Sequence, residues 1–197
     1  MSLLIATLTT ATLAFAATNI DDIFVLTLFF SQTSRGFRVV HIVAGQYFGF
    51  SALVAISLLG FFGARIFPQS WVGLLGVIPV LVGIRRWIRR HDAPVHVKVS
   101  ATATTATVAA VTFANGGDNI GVYTPLFASS DGTRLTITLL TFYLLLALWC
   151  FIGYGVTRHR AVARVLAPYG HIVVPFVLVG LGIYIIVESG TLRLLGF

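Results

Sequence analysis

The chain has 197 residues, 57% of them hydrophobic and only 10% charged, with a mean hydropathy of +0.96. A soluble domain of this size carries nearer ~25% charged residues, so a soluble globular fold is excluded. The formal charge of +7 would by itself suit a nucleic-acid partner, but its distribution between apolar runs excludes that reading too.

Six apolar runs are long enough to cross a bilayer, which takes about 20 residues. They lie near residues 3–30, 39–63, 70–88, 101–128, 135–156 and 170–188. The expected fold is an all-α integral membrane protein of six transmembrane helices in one transporter domain spanning 1–197. Ten basic residues (Arg35, Arg38, Arg85, Arg86, Arg89, Arg90, Lys98, Arg158, Arg160 and Arg164) fall in the loops joining spans 1–2, 3–4 and 5–6. Only Arg65, Arg134 and Arg193 fall on the other side. This positive-inside bias places both termini outside and the 3–4 loop in the cytoplasm. The basic segment RRWIRRH can also meet anionic headgroups, so membrane lipid is an expected partner and nucleic acid is not.

The first run opens on Thr7, Thr9, Thr10 and Thr12 and reaches Asn19-Ile20-Asp21-Asp22 before turning apolar again. No positive segment precedes it and it is too long for a leader's apolar core, so it reads as a span rather than a signal peptide. The second run holds Gly45-Gln46-Tyr47-Phe48-Gly49. Its G-x-x-x-G lets another helix approach closely, for packing within the chain or in a homodimer. Gln46 is polar enough to face a site rather than lipid. The third run contains Pro79 and ends in arginines that snorkel to the headgroups.

A short linker, about 91–99, divides the chain into repeats of about 1–90 and 100–197. At an offset of 97, Asp21, Ile23, Val25, Thr27 and Phe30 match Asp118, Ile120, Val122, Thr124 and Phe127. Val80-Leu81-Val82-Gly83 likewise matches Val177-Leu178-Val179-Gly180. An offset of 96 aligns Asn19-x-x-Asp22 with Asn115-x-x-Asp118 instead, but 97 holds across two spans of each half and is preferred. Three spans per half is an odd number, so the second half inserts upside down. That is the inverted-repeat plan of secondary transporters, with a site near the midplane where equivalent helices are interrupted.

The fourth run carries that interruption: FANGGDNIGVYTPLF, residues 113–127, sets Asn115, Asp118, Asn119, a glycine pair and Pro125 inside an apolar segment. A carboxylate at membrane depth costs a few kcal/mol or more and is usually kept for function. The expected ligands are Asp21 and Asp118, supported by Asp22, Asn119, Asn115 and Asn19, with Gln46 and Glu188 auxiliary. Carboxylates, amides and freed carbonyls make an oxygen-rich anionic cage that suits a divalent cation as substrate. An empty cage of crowded carboxylates takes up protons, so metal and proton compete for the same oxygens. Exporting a divalent ion against an inside-negative potential costs about 4.6 kcal/mol per 100 mV, at ~2.3 per charge. With Lys98 the one lysine and no G-x-x-x-x-G-K-[ST] loop, proton exchange is the economical source.

The remaining polar residues say less. The single cysteine, Cys150, excludes an internal disulfide and reads as a packing residue. His41, His91, His96, His159 and His171 gather at the expected cytoplasmic face, where interfacial histidine is usually bland. No H-E-x-x-H or nucleophile–base pair appears, so no enzyme is expected and no cofactor beyond the transported cation.

ATNIDDIFVLTLFF at 17–30, GQYFGF at 45–50 and the 113–127 stretch together resemble the cadmium-resistance transporter family, within the lysine-exporter superfamily. The resemblance covers the chain's length, its six spans and three motifs in order. It implies export of Cd²⁺ across a bacterial inner membrane, with Asp21, Asp22, Asp118 and Asn119 on the acidic motifs. Cd²⁺ is soft and favours thiolate, so an oxygen cage discriminates poorly among divalent ions. Export of Mn²⁺ or Zn²⁺, or of a small cationic metabolite such as an amino acid, is the alternative.

Overall fold

The computed structural model describes residues 2–66, 69–88, 104–158, 175–189 and 191. Among them the chain is helical, with short turns and no strand. The elements are α1 (Ser2–Asn19), α2 (Asp22–Ser31), α3 (Val39–Gly63), α4 (Gln69–Val72), α5 (Val77–Ile88), α6 (Thr105–Asn115), α7 (Gly117–Ala128) and α8 (Gly132–Arg158), followed by α9 (Pro175–Glu188). The expected linker, Lys98 and His91, His96, His159 and His171 lie outside the described residues.

By length and apolarity α3 and α8 cross a membrane, and α1 with α2 makes a third span if that pair, bent by 58°, counts as one. The second expected run coincides with α3. The expected third span is instead built in pieces, α4, a 3-10 turn at Gly73–Gly76, and α5. Pro79 has no N–H to give to the carbonyl of Leu75, which favours a tighter turn there. Gly76 and Gly182 also press backbone on backbone: a Cβ on Gly76 would stand 2.6 Å from the Gly182 carbonyl oxygen.

Both interruptions expected at the polar motifs are present. α1 stops at Asn19 and α2 starts at Asp22; α6 stops at Asn115 and α7 starts at Gly117. The helix ends Asn19 and Asn115 are 96 residues apart, so at the breaks the offset of 96 describes the backbone better than 97. Asp22 opens α2 and Asp118 is the second residue of α7, both in first turns, where the helix dipole favours an acidic group.

The long helix of each half packs on the broken pair of the other, α3 on α6 and α7, and α8 on α1 and α2. Small residues make the first contact possible. A Cβ on Gly45 would sit 2.6 Å from the Thr105 carbonyl oxygen, one on Gly49 2.6 Å from that of Ala109, and one on Gly60 2.5 Å from that of Thr124. The G-x-x-x-G face is therefore used within the chain, where α6 covers it.

At the centre, Phe15, Phe50, Tyr123, Phe127 and Phe142 from α1, α3, α7 and α8 form one aromatic layer. Most of its rings meet edge-on or tilted, Tyr123 and Phe142 with centroids 4.5 Å apart. Outward, Phe48, Leu59, Leu144 and Phe151 are exposed, while Gln46, Ser57 and Thr138 are buried. Apolar residues outside and polar ones inside suit a hydrocarbon solvent.

Replacing Gly49 by Ala forces a methyl against backbone, an overpacking that costs ~1–3 kcal/mol and outweighs the ~1 kcal/mol gained in helix propensity. Gly155, in α8, has open space where its Cβ would be. Thermal unfolding in detergent should show Gly49→Ala lowering the midpoint and Gly155→Ala leaving it unchanged or raised.

Candidate cation site at the helix breaks

The breaks leave backbone and side-chain polar groups inside the protein, and each needs a partner there. Asn19 closes α1 and is fully buried. Its amide nitrogen lies 2.8 Å from the Phe15 carbonyl oxygen, 2.9 Å from Thr18 Oγ1 and 2.7 Å from the Tyr123 hydroxyl. The Tyr123 and Thr18 hydroxyls are themselves 2.9 Å apart. The Asn19 carbonyl, freed where the helix ends, accepts from Trp149 Nε1 of α8 at 2.7 Å. Asn119 Nδ2, one helix turn before Tyr123, donates to Asn19 Oδ1 at 3.1 Å. This set ties α1, α7 and α8 together at the break.

Beside it stands the acidic group. Asp22 is only 5% exposed. Its Oδ1 accepts from Asn115 Nδ2 at 2.7 Å and its Oδ2 from Gln46 Nε2 at 3.2 Å. Gln46 is held in turn by Thr112, whose hydroxyl donates to Oε1 at 2.6 Å. Both Asp22 oxygens thus face amides, one from α3 and one from the end of α6. Asp21, in the break, and Asp118, in the first turn of α7, are half-buried and act electrostatically on Asp22. No lysine or arginine among the described residues pairs with it. A buried carboxylate that is hydrogen-bonded but not neutralised by a cation is costly to maintain.

Of the expected ligands, the structure brings Asp22, Asn115 and Gln46 together in one network and Asn19 and Asn119 in the adjoining one. Asn119 Oδ1 is buried and has no hydrogen-bond partner, a carbonyl oxygen open to a cation or a water. Glu188 does not join them; it pairs with Arg134 of α8. Among the described residues no three His, Cys, Asp or Glu side chains are gathered closely enough to hold one metal ion. His41 Nδ1 accepts the Arg38 N–H at 3.0 Å and so caps α3, which is a structural task. Cys150 is buried among Leu26, Phe29 and Phe30, as a packing residue.

Sequence reasoning passed over Thr112, Tyr123, Thr18 and Trp149. A signal was present for two of them: Thr112, Asn115, Asn119 and Tyr123 recur at three- and four-residue spacing, one polar stripe along the fourth run. Trp149 carried no such signal, because its partner is a backbone carbonyl freed by a break in another helix.

Over residues 15–196 the chain matches the family described as cadmium resistance transporter, and it belongs to that family. No curated protein matches it. No solved structure matches it either.

Tyr123→Phe keeps the ring in the aromatic layer and deletes the hydroxyl that Thr18 and Asn19 share. Leaving buried donors unsatisfied costs ~1–3 kcal/mol, so the unfolding midpoint in detergent should fall measurably. The indole of Trp149, bonded to Asn19, should shift its emission in the same variant.

Proposed function

We propose that this cadmium-resistance transporter exports divalent cations from the bacterial cytoplasm across the inner membrane, in exchange for protons, through the polar site at the two helix breaks. Cd²⁺ is the cargo that the family suggests; the oxygen donors suit divalent ions more widely. The observation that carries the reading is Asp22, a buried carboxylate without a cationic partner, held by amides of α3 and α6 and flanked by Asp21 and Asp118.

In this reading Asp22, Asp118 and Asp21 supply charge, and Asn119, Asn115 and Asn19 supply amide oxygen and orientation. Asp22 takes first place, where sequence symmetry alone put Asp21 and Asp118. The three carboxylates stand apart in this conformation, and cation entry pulls Asp118 and Asp21 toward Asp22. The freedom for that lies at Ile20–Asp21 and Gly116, where neither helix continues. Like charges that repel when the site is empty are stabilised by either of two occupants, a divalent ion or protons. A site that holds one or the other, opened alternately to each side, is the minimum machinery of an exchanger.

The crossing of each long helix on the broken pair of the other half supports an inverted repeat with six spans. The N-terminal half of α1, the α7–α8 turn and the end of α9 line one crevice and so lie toward one end of the bundle. That supports termini and α7–α8 turn on the same side, which the arginine asymmetry makes the outer one.

Inverted membrane vesicles with an imposed inside-acid gradient test the function. Cd²⁺ uptake should rise with the gradient, collapse with a protonophore, and be inhibited by excess Zn²⁺ or Mn²⁺. Uptake of a cationic amino acid in place of the metals would overturn the cation-cage reading. Apparent affinity should weaken as the pH on the cytoplasmic face is lowered, because protons then occupy the vacant carboxylates.

A further inference from the structure

Beyond the aromatic layer, on the side away from Asp22, lies a second polar feature that the cation cage does not use. A narrow crevice of about 20 Å³, room for roughly one water molecule, opens between α1, α7, α8 and α9. Five serine and threonine side chains line it: Thr7, Thr10, Ser129, Ser130 and Thr138. At its mouth Arg134 of α8 meets Glu188 of α9 in an ion pair, with Asp131 at 3.6 Å from Arg134 Nε and Tyr184 alongside.

The position is informative. From Thr10 to Asn19 along α1 is nine residues, about 14 Å of helix at ~1.5 Å per residue. From Asn119 to Leu126 along α7 is seven residues, about 10 Å on the same scale. Between crevice and cage, on the same α1, α7 and α8 that carry both, stand Phe15, Tyr123, Phe127 and Phe142. The order along the bundle is therefore acidic cage, aromatic layer, hydroxyl crevice, charged mouth. Hydroxyls are weak cation ligands that let an ion pass without trapping it, whereas an unneutralised arginine at a mouth repels cations. Glu188 offsets that repulsion for as long as the pair is made.

We propose that this crevice is the outer vestibule of the cation path, closed from the cage by the aromatic layer, and that the Arg134–Glu188 pair sets how readily cations enter it from outside. The proposal rests on the export reading for the direction of travel, but the vestibule itself is a claim about access. Arg134 opposes re-entry of cations from outside. Glu188 tunes that barrier and receives the departing ion. The two residues thus have opposite effects on the same quantity.

That opposition gives the test. Ser130→Cys places a thiol in the crevice, and intact cells are treated with membrane-impermeant thiol reagents, one cationic and one anionic. The cationic reagent should label Ser130→Cys several-fold faster when Arg134→Gln is added and several-fold slower when Glu188→Gln is added. The anionic reagent should show the reverse order, and Arg134→Lys should restore the parent rate for both. Equal rates in all backgrounds, or the same order for both reagents, overturn the gate. Labelling only from the cytoplasmic side, in inverted vesicles, overturns the vestibule. Because labelling needs no metal flux, the expected order upholds the proposal even if vesicles show no Cd²⁺ transport. Equal rates sink it even where transport is intact.

Discussion

The rest of the structure depends on one constraint: a carboxylate, Asp22, is kept inside an apolar bundle with no basic partner among the described residues. A charge there is tolerated only if its oxygens are hydrogen-bonded, and side-chain amides are the neutral donors that do this without cancelling the charge. Asn115 and Gln46 have that task, and Thr112 fixes which way the Gln46 amide faces. A guanidinium in their place would pair with Asp22 and neutralise it. The amides hold the carboxyl group in place without pairing it with a positive charge.

That requirement reaches into the packing. Gln46 and Asn115 sit on different halves of the chain, so α3 must approach α6 closely, and the glycines at 45 and 49 allow it. At Gly116 a Cβ would meet only the Leu53 side chain of α3, which can shift. On the other side, Trp149 and Tyr123 satisfy the groups that the break in the first run sets free. Both also pack among the aromatic rings. Site and core share residues, so loosening one loosens the other.

Much of this was legible in the sequence. The α3 segment was readable to its ends because 25 residues run without a lysine, arginine, aspartate or glutamate between polar loops. Both breaks were readable from the polar motifs, the second more directly because Gly116, Gly117 and Pro125 mark it. The register at the breaks was not. Matching residues over whole spans favoured an offset of 97, whereas α1 and α6 end 96 residues apart and α2 and α7 start 95 apart. A shift of one residue along a helix turns a side chain by about 100° at ~3.6 residues per turn, enough to exchange a buried position for a half-buried one. Glu188 is a related case: its position near a span's end says nothing of Arg134, 54 residues earlier, which becomes its neighbour only through the packing of α8 against α9.

The role of Asp22 as the residue that holds the cargo is open to direct measurement. Calorimetry of Cd²⁺ on the purified protein, beside Asp22→Asn, measures this directly. The substitution keeps size, removes one charge and sets an amide NH2 against one of the two donors that Asp22 accepts from. Loss of a desolvated charge partner costs ~3–5 kcal/mol, so affinity should fall at least ~100-fold. An Asp22→Asn protein that binds Cd²⁺ as tightly as the parent would contradict the account.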